Sequence, residues 1–317
     1  MSKILITGGS GTVGTRLTAL LLQKGYEVAH LTRSIKKDSK DNKNATPNVK
    51  NYLWDVKKGY IQPEAFENLD YIVHLAGAGV ADERWTDERK KEILESRTLS
   101  TQLHCKYLTE TKTPLKAFIS ASAIGIYGFD TGNQLLTEES PISTQILADV
   151  VKKWEEEVQK IASIPNQNGI SGGIRVAKLR IGIVLSDKGG ALVEMAKPVR
   201  LFAGAALGTV KQCLSWIHID DLCKMFVFAV ENDNISGEYN AVGVSVTTNE
   251  ILTKAIAKAL DKPLFLPNVP AFALNLILGE MAGMVLGGNN VSSEKIQKAG
   301  FKFDYTDLDT AVKNLLQ

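Results

Sequence analysis

Seven consecutive residues, Gly8-Gly9-Ser10-Gly11-Thr12-Val13-Gly14, have the types and spacing that hold a pyrophosphate. Gly8 permits a tight turn, and Gly11 lets the backbone approach the phosphates. Gly14 lets a following helix pack closely on a strand, and the N-terminus of that helix offers N–H groups and a partial positive charge to an anion. The pattern alone is weak. It gains weight here because a β run, KILIT (Lys3–Thr7), precedes it and a helical period, TRLTALLLQKG, follows it. A tight turn without a ligand is the alternative. A second chemistry-bearing stretch, Leu31-Thr32-Arg33-Ser34, closes the next β run, EVAHLTR. A site selective for NAD keeps an acid there for the ribose hydroxyls. Here a guanidinium takes that place, with Lys36 and Lys37 beyond it, and suits a 2′-phosphate that no acid opposes. The expected cofactor is therefore NADP(H), with an ordinary surface charge as the other reading of Arg33. Asp55 is placed either to meet an adenine amino group or to make a turn. Leu75, Ala76 and Gly77 close a further β run, DYIVHLAG, and the last two are small where a cofactor would pass.

The elements that must position these groups alternate along the chain. After the loop expected over Ile35–Asn48, β runs appear at Val49–Val56, Asp70–Gly77, Leu115–Ser122 and Gly173–Leu185. Between them lie a long helix from Thr86 to Thr111 and a second over QILADVVKKWEEEV (Gln145–Val158). In the latter, Leu147, Val150, Val151, Trp154 and Val158 recur at helical spacing, so that stripe faces the sheet. Strand–helix alternation of this kind predicts an α/β fold, a Rossmann-type doubly wound parallel sheet, with a smaller C-terminal α/β substrate domain. The nucleotide-binding unit is expected over residues 1–185 plus about 214–241, and the smaller unit over 186–213 and 242–317. The apolar stretch Val269–Leu286 is interrupted by Asn275 and Glu280; it reads as a buried helix, or a helix pair broken near Gly279, rather than a membrane span.

Bulk composition narrows the function classes. The 317 residues carry a net charge of +2 spread along the chain, with no block that reads as a nucleic-acid or membrane patch. Three distant cysteines, Cys105, Cys213 and Cys223, imply reduced thiols and a cytoplasmic location. No cluster of His, Cys or acids has metal spacing, so no metal is expected. The expected partner is a small-molecule substrate, and a homodimer is left open.

Taken together, TGGSGTVG, HLAG, SASAIGIYG, LRIGIVL and WIHIDDL resemble the extended short-chain dehydrogenase/reductases. ADERWTDERKKEILESR (Ala81–Arg97), KKWEEE, WIHIDDL (Trp216–Leu222) and the tail from Pro270 to Leu316 narrow the resemblance. They are similar to the atypical subfamily described as the epimerase family with a C-terminal domain of unknown function, which would here span about 268–316. Active members of the wider family use a serine, a tyrosine, a lysine four residues later and an asparagine on the preceding helix. By that resemblance Ser122 takes the serine place and Arg97 the asparagine place, whereas apolar Leu147 and Val151 take the tyrosine and lysine places. Arg97 then either binds an anion or forms a structural ion pair. Lys152 and Lys153 are expected on the solvated face, Lys153 paired with Asp149. Tyr127 is the best remaining general acid, or else an aromatic wall. Arg84 and Trp85 are placed to meet substrate from the loop after His74, with Trp85 alternatively packing a lid. His218 is a substrate-side candidate whose favoured reading is structural, as is that of His74. The resemblance implies an NADP(H)-dependent oxidoreductase acting on a small polar or anionic compound; an NADP(H)-binding regulator or sensor without turnover, and a nucleotide-sugar epimerase or dehydratase, are the rivals.

Overall fold

Lys3–Thr7 (β1) is apolar at its centre and buried along its whole length, as a parallel strand covered on both faces must be. The computed structural model describes residues 1–34, 49–165 and 173–317, so the expected loop Ile35–Asn48, with Lys36 and Lys37, lies outside the described residues. In chain order the helices are α1 (Thr12–Gln23), α2 (Asp87–Thr111), α3 (Ile146–Ile161), α4 (Ala191–Arg200), α5 (Ile219–Glu231), α6 (Asn249–Ala259), α7 (Ala271–Leu278), α8 (Ala282–Leu286), α9 (Glu294–Lys298) and α10 (Leu308–Leu316). The strands after β1 are β2 (Glu27–Thr32), β3 (Lys50–Asp55), β4 (Tyr60–Ile61), β5 (Tyr71–His74), β6 (Ala117–Ala123), β7 (Leu135–Leu136), β8 (Arg175–Ile181), β9 (Ile183–Leu185), β10 (Cys213–His218), β11 (Gly237–Ala241), β12 (Val246–Thr248) and β13 (Asn290–Val291).

Eight strands form one sheet in the order β11-β8-β6-β5-β1-β2-β3-β4, parallel throughout except for the β3–β4 edge pair. The order reverses between β1 and β5, and ligands of open α/β sheets lie at the carboxyl ends of strands flanking such a point. Helices α1 and α5 pack together, as do α2 and α3, giving the two helical layers. The expected long helix is α2, and it starts where the hydroxyl of Thr86 accepts the backbone N–H of Arg89. The α3 stripe is buried at Val150, Val151, Trp154 and Val158 as its period predicts.

The structure corrects two readings. The run Gly173–Leu185 is two strands, not one. Gly182 breaks it, because a side chain there would stand 2.4 Å from the Ser215 carbonyl oxygen. Beyond Gly182, β9 joins β10 and β12 in a separate three-stranded sheet, and Leu192, Trp216, Leu252, Ile256 and Val312 build a second core over it. The stretch Val269–Leu286 is a helix pair, α7 and α8, with a 3₁₀ turn at Gly279–Met281 between them. Yet α7 is not buried. Phe272, Leu276 and Ile277 are 75%, 79% and 67% exposed, and only Leu274 of that helix reaches the interior. Apolar composition alone cannot distinguish the two, since burial depends on what the rest of the chain places opposite. Among the described residues, no helix is long and apolar enough to cross a membrane.

Candidate functional site

The glycine-rich turn is built as a cradle. Gly8 adopts φ +69°, and its carbonyl accepts the Gly11 N–H at 3.0 Å. A Cβ at Gly14 would lie 2.2 Å from the Gly8 oxygen, so only glycine lets α1 start this close to the turn. Gly11, which precedes α1, supplies no side-chain cap, so the first N–H groups of that helix have no capping side chain. Ser10 and Gly11 are exposed, and Thr12 and Val13 are half-buried. Residues unremarked in the sequence brace the turn from behind. The Thr18 hydroxyl donates to the Gly14 carbonyl at 2.7 Å and lies 2.8 Å from His30 Nε2. The His30 ring fills the space beside Gly9, and burial lowers its pKa to about 4.

At the end of β2, Thr32 Oγ1 donates to the Ser34 carbonyl, forming a short turn on which Arg33 and Ser34 are exposed. Asp55 serves as a turn residue, since its carboxylate accepts the Lys58 N–H at 3.1 Å.

The end of β5 is held by one hydroxyl. Thr7 Oγ1 accepts the N–H groups of Leu75 and Ala76 at 3.0 and 3.1 Å. Its own proton therefore goes to His74 Nδ1, 2.8 Å away, so His74 is neutral and carries its proton on Nε2, facing Ser100 and Thr101 of α2. His74 is structural, as expected. Edge-on to it at 5.2 Å lies His104, whose two ring nitrogens have no partner among the described residues. Burial lowers the His104 pKa to about 3. The unfolded chain takes up this proton near pH 6.5, which the folded chain refuses until about pH 3. Stability is therefore full above pH 6.5 and falls as pH drops toward 3, by about 1.4 kcal/mol per pH unit for each such ring. Urea unfolding at pH 7.5 and 5.5 measures the slope, and His104→Phe is expected to flatten it; an unchanged slope counts against His104 as its source.

The side chains expected at the chemistry lie in a buried chain of hydrogen bonds. Ser122, on β6, donates to Glu155 Oε1 at 2.6 Å. Glu155 takes a bidentate pair from Arg180 on β8, at 2.9 and 2.8 Å. Burial by itself would lower the Arg180 pKa, but the bonds and charge of Glu155 more than offset it and hold the pKa above its usual value. Arg180 also donates to the Tyr127 hydroxyl at 3.1 Å, and that hydroxyl donates to Asn240 Oδ1 at 2.8 Å. Tyr127 sits on the 3₁₀ turn Ile124–Tyr127, is 3% exposed, and has its pKa raised by burial, partly countered by Arg180. The phenol expected to reach the cleft is thus turned inward, because β11 offers it an amide acceptor. Glu155, Arg180 and Asn240 were missed in the sequence. The available signal was an acid one turn beyond Val151 on the buried face of α3, and bases inside the apolar run RVAKLRI.

The remaining candidates separate. Leu147 lies against Gly125 and the Trp85 cluster, and Val151 packs with Ile126 and Tyr127. Lys152 and Lys153 are exposed, and Lys153 binds Asp149 at 2.8 Å. Trp85 packs into a small apolar cluster with Ile93, Val150 and Met281. Its indole donates to the Val80 carbonyl at 2.8 Å, and its ring meets Phe129. Arg84 is exposed and reaches the Leu276 carbonyl of α7 at 3.3 Å. His218 is corrected from the substrate side: it is 1% exposed, caps α5 by accepting the Asp220 N–H, and stacks on Tyr305 at 3.6 Å. Its pKa is lowered by burial, partly countered by Asp220 and Asp221.

Arg97 differs from all of these. Its guanidinium lies under exposed Gly77, where a Cβ would stand 3.0 Å from Cζ, and 5.3 Å from the Trp154 ring. Among the described residues it forms no ion pair.

Known proteins resemble this chain along its length and in its fold. The model of the NAD dependent epimerase/dehydratase family matches residues 4–147, and that of the domain of unknown function DUF1731 matches residues 269–315. The epimerase family protein YfhF of Bacillus subtilis is 34% identical over 99% of this chain and 98% of its own length. The crystal structure of human epimerase family protein SDR39U1 with NADPH superposes with a TM-score of 0.84 at 29% identity, covering 99% of both chains. A nucleoside-diphosphate sugar epimerase from Corynebacterium glutamicum gives a TM-score of 0.76 at 30% identity, covering 99% of this chain and 58% of that one.

Proposed function

We propose, because this chain belongs to the NAD dependent epimerase/dehydratase family and carries a C-terminal DUF1731 domain, that it is an NADP(H)-dependent oxidoreductase acting on a small polar or anionic compound. The observation that carries the reading is the fit of the Gly8–Gly14 cradle to a pyrophosphate. A Cβ at Gly14 would force α1 away from the turn, and the uncapped start of α1 lies at the cradle. Ser10, Gly11, Thr12 and Val13 would line the diphosphate, Thr32, Arg33 and Ser34 the 2′-phosphate, and Leu75, Ala76 and Gly77 the path toward β6. Asp55, whose carboxylate closes its own turn, would be the residue nearest the adenine only through that turn. The nicotinamide supplies or accepts a hydride when bound. Around it, Ser122 orients the reacting oxygen. Because its proton is committed to Glu155, its oxygen is left as an acceptor for a donor such as a substrate hydroxyl. Tyr127 positions the Arg180 network, and Arg84 presents a charge from the lid. The NADPH-bound human relative supports the cofactor choice, and the three free cysteines suit a reducing, cytoplasmic setting.

Fluorescence titration tests the cofactor. NADPH is expected to bind about tenfold or more tighter than NADH, a difference of about 1.4 kcal/mol or more, and Arg33→Asp to remove the preference by weakening NADPH alone. Equal affinities in the native chain would sink the argument from Arg33. A second reading, an NADP(H)-binding sensor without turnover, is favoured by the inward commitment of Ser122 and Tyr127. Screening carbonyl compounds for NADPH loss, and alcohols for NADP reduction, separates the two. Turnover abolished by Ser122→Ala supports the enzyme, and NADPH binding without turnover supports the sensor.

A further inference from the structure

Buried Arg180 on β8 and half-buried Arg97 on α2 are treated in opposite ways. Arg180 is neutralised by a bidentate carboxylate and makes two further hydrogen bonds. Arg97 has no carboxylate within ion-pair distance among the described residues. Its one protein acceptor there is the Ile93 carbonyl, 2.8 Å from Nη1. The charge of Arg89 that acts on it is of like sign and is already engaged with Glu92 and the Gly79 carbonyl. Burial, with a smaller contribution from Arg89, pushes the Arg97 pKa down to about 10. An unpaired guanidinium removed from water is destabilising, and a fold does not gain by keeping one for packing alone. Its surroundings are those of a receptor. The Nε–Nη2 edge, the side that suits a bidentate oxyanion, has no protein acceptor among the described residues. The Trp154 ring supports the flat face, and its own buried indole N–H is also without a partner there. Above lies Gly77, exposed and without a side chain that would close the approach.

We propose that Arg97 is an anion receptor that takes a carboxylate or phosphate group entering over Gly77, with two oxygens on its Nε–Nη2 edge. The same chemistry is offered by the diphosphate of a dinucleotide and by the anionic group of a separate substrate. Both sources rest on the reading above, whereas the receptor itself, probed with simple anions, does not.

Thermal unfolding of the full chain at constant ionic strength tests it, with sodium malonate and inorganic phosphate compared against chloride. In the native chain either anion is expected to raise the midpoint by about 2–5 °C at saturation. Arg97→Met is expected to lose that response while unfolding at a higher midpoint than the native chain without ligand, because the unpaired charge is gone. Repeating the titration with NADPH present separates the sources. An anion response that disappears, together with NADPH binding at least tenfold weaker in Arg97→Met, assigns the receptor to the cofactor diphosphate. A response that persists, with NADPH binding unchanged in the variant, assigns it to a substrate. No anion response in the native chain overturns the proposal. So does a variant that keeps the response and unfolds at a lower midpoint, as a merely structural arginine would. Failure to bind either dinucleotide would instead count against the cofactor reading and leave the ligand-free arm of this test intact.

Discussion

Arg180→Met is expected to destabilise the chain by about 3–5 kcal/mol, because it strands the Glu155 carboxylate in the interior. Both side chains are buried, at 6% and 10% exposure, so solvent screening gives little relief. The loss extends along the network. Ser122 keeps its carboxylate, but the Tyr127 hydroxyl loses a donor, and the Glu138 carbonyl loses one as well. Glu155→Gln is expected to cost less, since an amide can still accept from Arg180. Joining Arg180→Met to Glu155→Leu is expected to recover much of the loss, since removing both partners leaves no buried charge. Equilibrium urea unfolding of the three variants measures this. A loss under about 1 kcal/mol for Arg180→Met would mean that water reaches Glu155, and the network would not be closed to solvent.

The second large effect belongs to the cradle. In Gly14→Ala the new methyl would lie 2.2 Å from the Gly8 oxygen and 2.7 Å from the Gly9 Cα. Both obstacles are backbone, so helix and turn must separate. NADPH affinity is expected to fall about a hundredfold or more, which is about 2.7 kcal/mol, and overpacking to remove about 1–3 kcal/mol of stability. Gly11→Ala is the informative control. Its methyl would meet only the Gly8 oxygen, at 3.3 Å. The free protein should tolerate it, leaving the penalty to appear when a pyrophosphate approaches. Isothermal titration of both variants, alongside their unfolding curves, distinguishes a damaged turn from a blocked approach. Native-like NADPH binding by Gly14→Ala would rule out the cradle as the phosphate site.

Much of the fold was legible in advance because it is written in local periods. The strand–turn–helix at Lys3–Gln23, the long helix from Thr86 and the buried stripe of α3 depend on residues within one or two turns of each other. The site was legible only in part. The glycine spacing and Arg33 announce their chemistry by residue type. Ser122 and Tyr127 do not, because a hydroxyl's role depends on where its proton goes, and that is settled by Glu155 and Asn240, 33 and 113 residues away.

The sequence by itself determined the α/β alternation, the glycine-rich turn and the basic end of β2, since each rests on backbone geometry or charge confined to a few neighbouring residues. The tertiary structure alone decided that Gly182 divides one β run between two sheets, that α7 presents its apolar face outward, that His218 is a helix cap, and that Arg180 is paired while Arg97 forms no ion pair among the described residues. Each of these depends on which distant group fills the remaining space or satisfies the remaining charge, and in a packed chain only the assembled interior supplies that partner.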